Sequence, residues 1–517
     1  MKAPEFIRIR NYINGSWSDP EGAGTIPLFN PSDGSTIGEV PLSTAASSTA
    51  AIASAHAAYE PWRRLPVGRR VKYLFDLRRA MEEQREELAF AIAIDQAKHI
   101  SEARGEVQRV IEIIETACSI PTVIQGETLE QIGANIVGRV VRQPLGVFCG
   151  VAPFNFPALV FGWFIPFAIG VGNTFVFKPS PQSPYFMQKI CAILSQIGLP
   201  PGVVNVVNGD HAPTTAWYED PRVRGVCMVG SSPTARRIAE AAGRAGKRTM
   251  LLGGAKNYLV AMEDLQWDVF LDNYLNSCYG SAGQRCLAGS IVAAVPAIHD
   301  ELVERIVTAS RKMKVGSALD PDVHVGPVIS AEAKARIETM IEAGVTRDKA
   351  KLVLDGRHPS VPEEIKNGYY VGPTIFAEAT SDMTIVQTEI FGPVVAVMKV
   401  PDLDHALALI RTQEVGNGAC IFTQSLYYTE KFIAEADVGM VGVNVGVPAP
   451  HPYLPFGGIK QSLIGTDKAQ GKGGIDFFTQ DKVATVRFAP PAEGRHQASC
   501  GKDVAPKTGA VKSCTAS

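Results

Sequence analysis

From Gln143 to Phe177 the chain carries no charged side chain. So long an uncharged run either spans a bilayer or lies buried on all sides inside a large fold. Pro144, Pro153, Pro157 and Pro166 punctuate it together with the polar Asn155, and its two ends, 147–151 and 173–177, are rich in β-branched and aromatic residues. A continuous membrane helix fits that punctuation poorly, whereas two buried parallel strands joined by a buried helix fit it well. The spacing therefore predicts a strand over 147–151, a helix over 158–170 and a strand over 173–177, with no membrane span.

The alternation continues downstream. Strand patterns at 203–207 and 225–229 are interleaved with helical ones at 183–197, 213–219 and 233–245. That is how a doubly wound parallel sheet with a dinucleotide site reads in sequence. Upstream, residues 6–40 form a β-rich entry with an Asn14-Gly15 hairpin signal. Helical patterns then run from Thr44 to about Ile120, with Val71, Leu74, Leu77 and Met81 on one face. Residues 121–142 alternate like an exposed hairpin. A second α/β block extends to about Asn444, with strands expected at 290–295 and 394–398. The stretch beyond Phe488 is rich in Ala, Pro, Gly, Lys and Ser and is expected to be disordered, leaving Cys500 and Cys514 idle.

A length of 517 residues suffices for two or three domains, and a net charge of −2 supplies no basic surface for nucleic acid or an anionic membrane. The nine cysteines are scattered and show no Cys-x-x-Cys or Cys/His ligand spacing. A reducing compartment without structural zinc follows. Met1–Phe6 carries an early acid and no apolar core, so the expected location is cytoplasmic.

Chemistry concentrates around Cys286, in Gly280-Ser281-Ala282-Gly283-Gln284-Arg285-Cys286-Leu287-Ala288-Gly289-Ser290. Small residues let backbone and ligand approach the sulfur, and Arg285 places a positive charge beside it, a setting for a thiolate nucleophile. The plainer alternative is a packed structural cysteine. Gly-Gln-Arg-Cys resembles the active-site cysteine motif of the aldehyde dehydrogenase superfamily, and four further motifs in order resemble it too. Pro153-Phe154-Asn155-Phe156-Pro157, at a strand end, is similar to the motif whose asparagine stabilises the oxyanion. Phe177-Lys178-Pro179-Ser180 is similar to the adenosine-ribose site, which implies Lys178 and Ser180 as ribose ligands. Gly230-Ser231 opens a helix whose amides can receive a pyrophosphate. Glu389-Ile390-Phe391-Gly392-Pro393 resembles the segment whose glutamate holds the nicotinamide ribose, with Phe391 packing nearby.

The resemblance covers about residues 11–485. Within the superfamily it is strongest to the CoA-acylating methylmalonate/malonate-semialdehyde dehydrogenases, through Gly253-Gly254-Ala255-Lys256-Asn257, Gly416-Asn417-Gly418 and Val441-Gly442-Val443-Asn444-Val445 among others. It implies an aldehyde dehydrogenase-like α/β fold, with an NAD-binding domain at 1–120 and 145–251 and a catalytic domain at 252–469. It also implies an oligomerisation arm at 121–144 and 470–488, serving a homotetramer or homodimer. Arg109 and Arg285 match the two arginines that grip the substrate carboxylate, although on its helix Arg109 lies opposite the apolar stripe, beside Glu112. Three residues depart from the pattern. Ala235 replaces a glycine, and Pro181 replaces a glutamate that opposes a 2′-phosphate, which leaves NADP open beside NAD. Leu252 stands where hydrolytic members have a water-activating glutamate and acylating members an asparagine. Leucine takes no proton, and coenzyme A is a better nucleophile than unassisted water, so the expected reaction converts malonate or methylmalonate semialdehyde to acetyl- or propionyl-CoA. A hydrolytic NAD(P)-dependent dehydrogenase of another acidic semialdehyde and a catalytically weak binding homologue are the alternatives.

Overall fold

The computed structural model describes residues 5–20 and 24–488. The expected tail 489–517, with Cys500 and Cys514, lies outside the described residues. The uncharged run folds as strand Val147–Val151, helix Pro157–Val171 and strand Thr174–Lys178, with the strands parallel and Cys149 opposite Val176. Pro157 occupies the first helical turn, where its missing N–H is no loss, and Gly172 at φ 111° ends the helix in the left-handed region. Every residue of that helix but Leu159 is buried. Each fully buried Phe side chain here contributes about 1.5–3 kcal/mol.

These strands are the centre of an eight-stranded sheet. In spatial order it runs Leu463–Gly465, Arg248–Leu252, Val223–Val229, Val147–Val151, Thr174–Lys178, Val204–Val206, Asn11–Ile13 and Ser16–Ser18. The five middle strands are parallel and the edge pairings antiparallel. The Asn14-Gly15 pair closes the edge hairpin with both residues at positive φ, as a type I′ turn requires. Val71, Leu74, Leu77 and Met81 of helix Val67–Glu83 are buried in the core that covers this sheet.

A seven-stranded sheet carries the second block, in the order Lys351–Leu354, Thr374–Ala377, Val394–Lys399, Gly289–Ala294, Asn257–Ala261, Gly418–Phe422 and Met440–Val443. All pairings in it are parallel except the first. Both sheets belong to one compact unit, made of the described residues up to Gln125 and Gln143–Gln480. A second, small unit comprises Gly126–Arg142 and the described residues from Asp481 on. Its sheet orders Thr479–Arg487, Ile136–Pro144 and Glu127–Gly133, and leaves Leu129, Ile132, Val141 and Val483 exposed. Among the described residues no helix is long and apolar enough to cross a membrane.

Candidate active site

Four segments follow the C-terminal ends of parallel strands: 152–156, 179–183, 230–231 and 253–256. In open α/β sheets this is the edge where ligands bind. Ala152 N extends the ladder by donating to Lys178 O at 3.0 Å, after which residues 153–156 turn into the helix that Pro157 begins. Phe154 and Asn155 sit on that turn.

The thiol arrives from the other sheet's block. After helix Trp267–Tyr279 the backbone turns through Ser281 (φ 51°), Ala282 (φ 53°) and Gly283 (φ 71°), all left-handed. Two non-glycine residues in that region cost about 1–2 kcal/mol each, so neighbouring groups must hold them. Both carboxylate oxygens of Glu102 accept from Ser281 N at 3.1 Å, and Gln284 Oε1 accepts from Ile329 N at 3.0 Å. The Cys286 carbonyl then accepts from Asn257 Nδ2 at 3.0 Å and from Asn417 Nδ2 at 2.9 Å.

Cys286, half-buried, lines a cavity of about 370 Å³ with Phe154, Asn155, Gly230, Ser231, Glu389 and Phe391. Seven expected site residues thus converge from four separate segments. Phe154 and Phe391 meet edge to face, centroids 5.9 Å apart, and Phe391 is itself at φ 53°. Ser231 caps helix Ser232–Arg244, its Oγ accepting from Thr234 N, and Ala235 is packed fully inside that helix. Gly253 and Gly254 form part of the cavity wall; a Cβ on Gly254 would come within 2.6 Å of Glu389 Oε2.

Electrostatics in the cavity are set mainly by burial. It pushes the Cys286 thiol up to about 12; the Glu389 carboxylate adds to this, while the thiol's own backbone N–H, Arg285 and Lys98 oppose it. Burial also lifts Glu389 to about 7, against the Ala255 N–H at 3.2 Å and the charges of Lys256 and Arg336. Lys178 is brought down to about 8 by the same cause.

Lys178 and Ser180 are both buried, outside the lining of this cavity. The Lys178 ammonium donates to Pro179 O at 3.1 Å, and Ser180 Oγ accepts from Gln182 N at 3.2 Å. The Asn155 amide donates to Gln284 O at 2.8 Å. Each of the two arginines is paired with a carboxylate of helix Ile100–Cys118. Arg109 pairs with Glu112 at 3.2 Å, one turn along its own helix, the contact that the helical pattern alone favours. Arg285 is held by Glu102 and by Asn276 Oδ1 at 3.1 Å, so a substrate carboxylate would compete with Glu102 for it.

Leu252 ends its strand 3% exposed, in the apolar cluster against which Cys286 packs. Sequence reasoning missed Arg336, which lines the cavity from helix Ala331–Thr346 and carries no local motif. It also missed Lys98 and Glu106. An acid among Ala103, Val107 and Val110 on one helix face was the available signal. Among the described residues, no group of three or more His, Cys, Asp or Glu is arranged to hold a metal ion.

The aldehyde dehydrogenase family model matches residues 17–484. Malonate-semialdehyde dehydrogenase 2 of Geobacillus kaustophilus (strain HTA426) is 40% identical over 480 residues, 93% of this chain and 99% of that protein. The crystal structure of methylmalonate-semialdehyde dehydrogenase from Oceanimonas doudoroffii is 38% identical with a TM-score of 0.91, covering 93% of this chain and 99% of the other. A protein assigned as methylmalonate-semialdehyde dehydrogenase from Sinorhizobium meliloti 1021, complexed with NAD, is 34% identical with a TM-score of 0.92, covering 94% and 99%. Sequence and architecture agree along the full length of these relatives, and the chain belongs to the aldehyde dehydrogenase family.

Proposed function

We propose that this chain is an NAD-dependent, CoA-acylating dehydrogenase of malonate or methylmalonate semialdehyde. The observation that carries the proposal is Leu252. At the position where the resemblance puts a water-activating base the chain carries an apolar side chain, buried in the cluster against which Cys286 packs, and the relatives at about 40% identity are named for malonate semialdehyde.

The residues present fit a dinucleotide. The Lys178 ammonium has three hydrogens and one acceptor among the described residues, Pro179 O, so two are available to a ribose diol. Ser231 begins a helix of thirteen residues, whose first amides and dipole suit a pyrophosphate. Glu389, anchored by Ala255 N–H, can accept from a second ribose. Bound NAD supplies the hydride acceptor, and the complex of the Sinorhizobium neighbour with NAD supports NAD as the cofactor, with NADP left open by Pro181.

Cys286 as thiolate adds to the aldehyde carbon. Asn155 Nδ2, exchanging its Gln284 carbonyl for the new oxyanion, and the backbone N–H of Cys286 stabilise the developing charge. Loss of hydride leaves a thioester on the sulfur. With a β-carboxylate gripped by Arg285, that thioester carbonyl stabilises the carbanion left by carbon dioxide, and Asn155 holds the enolate. Protonation and attack by the thiol of coenzyme A then release acetyl- or propionyl-CoA and regenerate Cys286. Subunit association through the exposed Leu129, Ile132, Val141 and Val483 of the small unit belongs to the same proposal.

The test is NADH formation from malonate semialdehyde with and without CoA, with the product identified by mass. Turnover that requires CoA and yields acetyl-CoA is expected. Equal turnover without CoA, giving free acid, overturns the acylating reading in favour of hydrolysis.

A further inference from the structure

Behind the Asn155 turn lies an ion pair with no contact to solvent. Lys98 and Glu106 are each 1% exposed at their side chains and bound to one another. Lys98 Nζ donates to Asn155 O at 2.8 Å and lies 3.8 Å from the centroid of the Phe156 ring. Glu106 Oε1 accepts from Ala158 N at 2.9 Å and Leu159 N at 3.0 Å, the first free amides of the helix that follows. The pair therefore holds both sides of the turn that carries the oxyanion asparagine. Stability alone does not call for it, because well-packed apolar residues usually replace a buried ion pair without loss. Apolar residues, however, cannot donate to the Asn155 carbonyl or accept two amides.

The same helix, Ile100–Cys118, also holds the thiol loop, through Glu102 to Ser281 N and Arg285. Asn155 Nδ2 reaches Gln284 O, two residues before the thiol. One helix start thus fixes the two halves of the site against each other. The charges facing Lys98 are Glu106, Glu102 and Arg285; those facing Cys286 are Glu389, Arg285 and Lys98, with Lys256 and Arg336 acting on Glu389.

We propose that the Lys98–Glu106 pair is a positioning element of the thiol site, fixing the Asn155 turn from behind and keeping an ammonium charge near the Cys286 sulfur. Glu106 has a second task. Burial favours loss of the Lys98 proton, and the carboxylate is what retains it. The proposal rests on the reading of Cys286 as the nucleophile.

The test measures the rate at which iodoacetamide alkylates Cys286 in the full-length protein between pH 7 and 9, followed by the mass of the Cys286-bearing tryptic peptide, together with kcat and KM. In Lys98→Met, alkylation across that pH range is expected to slow about tenfold, with a kcat at least tenfold lower and KM within about twofold. Glu106→Gln is expected to slow alkylation in the same direction, and Glu106→Asp to recover most of it. A packing role would lower the melting temperature and leave the alkylation rate of the folded enzyme unchanged, so a rate within about twofold of wild type in Lys98→Met overturns the proposal. Should that variant fail to fold, Lys98→Met/Glu106→Gln, which leaves no unpaired buried charge, decides by the same rate and kcat; wild-type values overturn it. If alkylating Cys286 in the wild type leaves dehydrogenase activity intact, the nucleophile reading falls instead.

Discussion

Leu252→Glu tests why the acyl group should await coenzyme A. The leucine is 3% exposed, and its cluster includes Val160, Trp163, Leu287 and Phe456. Removing its side chain from that packing costs about 2–5 kcal/mol, so the variant should melt several degrees lower yet fold, given a core of this extent. A carboxyl placed there loses hydration. Burial raises such a group by up to about 3–5 pH units from a value near 4.3, which brings it to neutrality, where a general base works best. General-base assistance is worth about 10²–10⁴ in rate. Gly253 and Gly254, which follow directly, lie in the cavity wall together with Cys286. The assay is steady-state NADH formation from malonate semialdehyde without CoA, with the product resolved by mass. A rise of at least about 100-fold over wild type in CoA-independent turnover is expected, increasing with pH as the carboxyl ionises. A folded variant that keeps its CoA-dependent activity and shows no such rise would refute the reasoning, since a base at that position would then not reach water near the thioester.

Asn155→Ala is expected to lower kcat by about 10²–10³ with little change in KM, and to lower the melting temperature because Gln284 O loses its donor; a loss of kcat under tenfold would move the oxyanion contact elsewhere. Glu389 makes a pH signature. Its carboxyl moves from an ordinary value of 4.5 to about 7 on folding, so the native state binds the proton more tightly. The stability this gives, roughly 3 kcal/mol, is fully present below about 4.5 and lost as pH rises through about 7, and Glu389→Gln should flatten that part of the melting-temperature profile. Arg285→Gln should raise KM for malonate semialdehyde about 10–100-fold while leaving a neutral aldehyde such as propanal within a few-fold, as expected from losing a charge-assisted contact; equal effects on both substrates would assign Arg285 to loop structure through Glu102.

The fold was legible where local chemistry is strict. In the uncharged run the expected strand 147–151 is the strand observed, and the expected helix 158–170 is observed as Pro157–Val171, because a proline at the start and a left-handed glycine at the end leave little freedom. Edge strands were harder. Leu463–Gly465 completes the eight-stranded sheet by pairing with Met250–Leu252 from two hundred residues away, a register set by the finished core and not by either segment's own pattern. Arg109 separates two kinds of inference. Helical periodicity put it beside Glu112, where the structure holds it at 3.2 Å, whereas its place at the substrate comes from resemblance alone and belongs to no local pattern.

Thiol reactivity was the least legible property, because it is not stored in the motif that announces it. Gly-Gln-Arg-Cys read alone places a free positive charge next to the sulfur, yet Glu102 neutralises Arg285 from a helix almost two hundred residues upstream. The opposing push from Glu389 comes from a segment one hundred residues downstream, and the remaining support from Lys98, whose charge depends on Glu106. Each of these side chains, taken by itself, reads as a surface ion or a turn residue. Burial and the Glu389 carboxylate both hold the thiol up, so whatever weakens either favours the thiolate. Drawing the Glu389 carboxylate onto a ribose diol would weaken its repulsion of the thiolate, and a substrate carboxylate displacing Glu102 from Arg285 would exchange one anion near the site for another. Cofactor binding is therefore the step expected to activate Cys286, so alkylation by iodoacetamide should quicken when NAD is added before any aldehyde, and should do so less in Glu389→Gln, where there is no carboxylate charge to draw away.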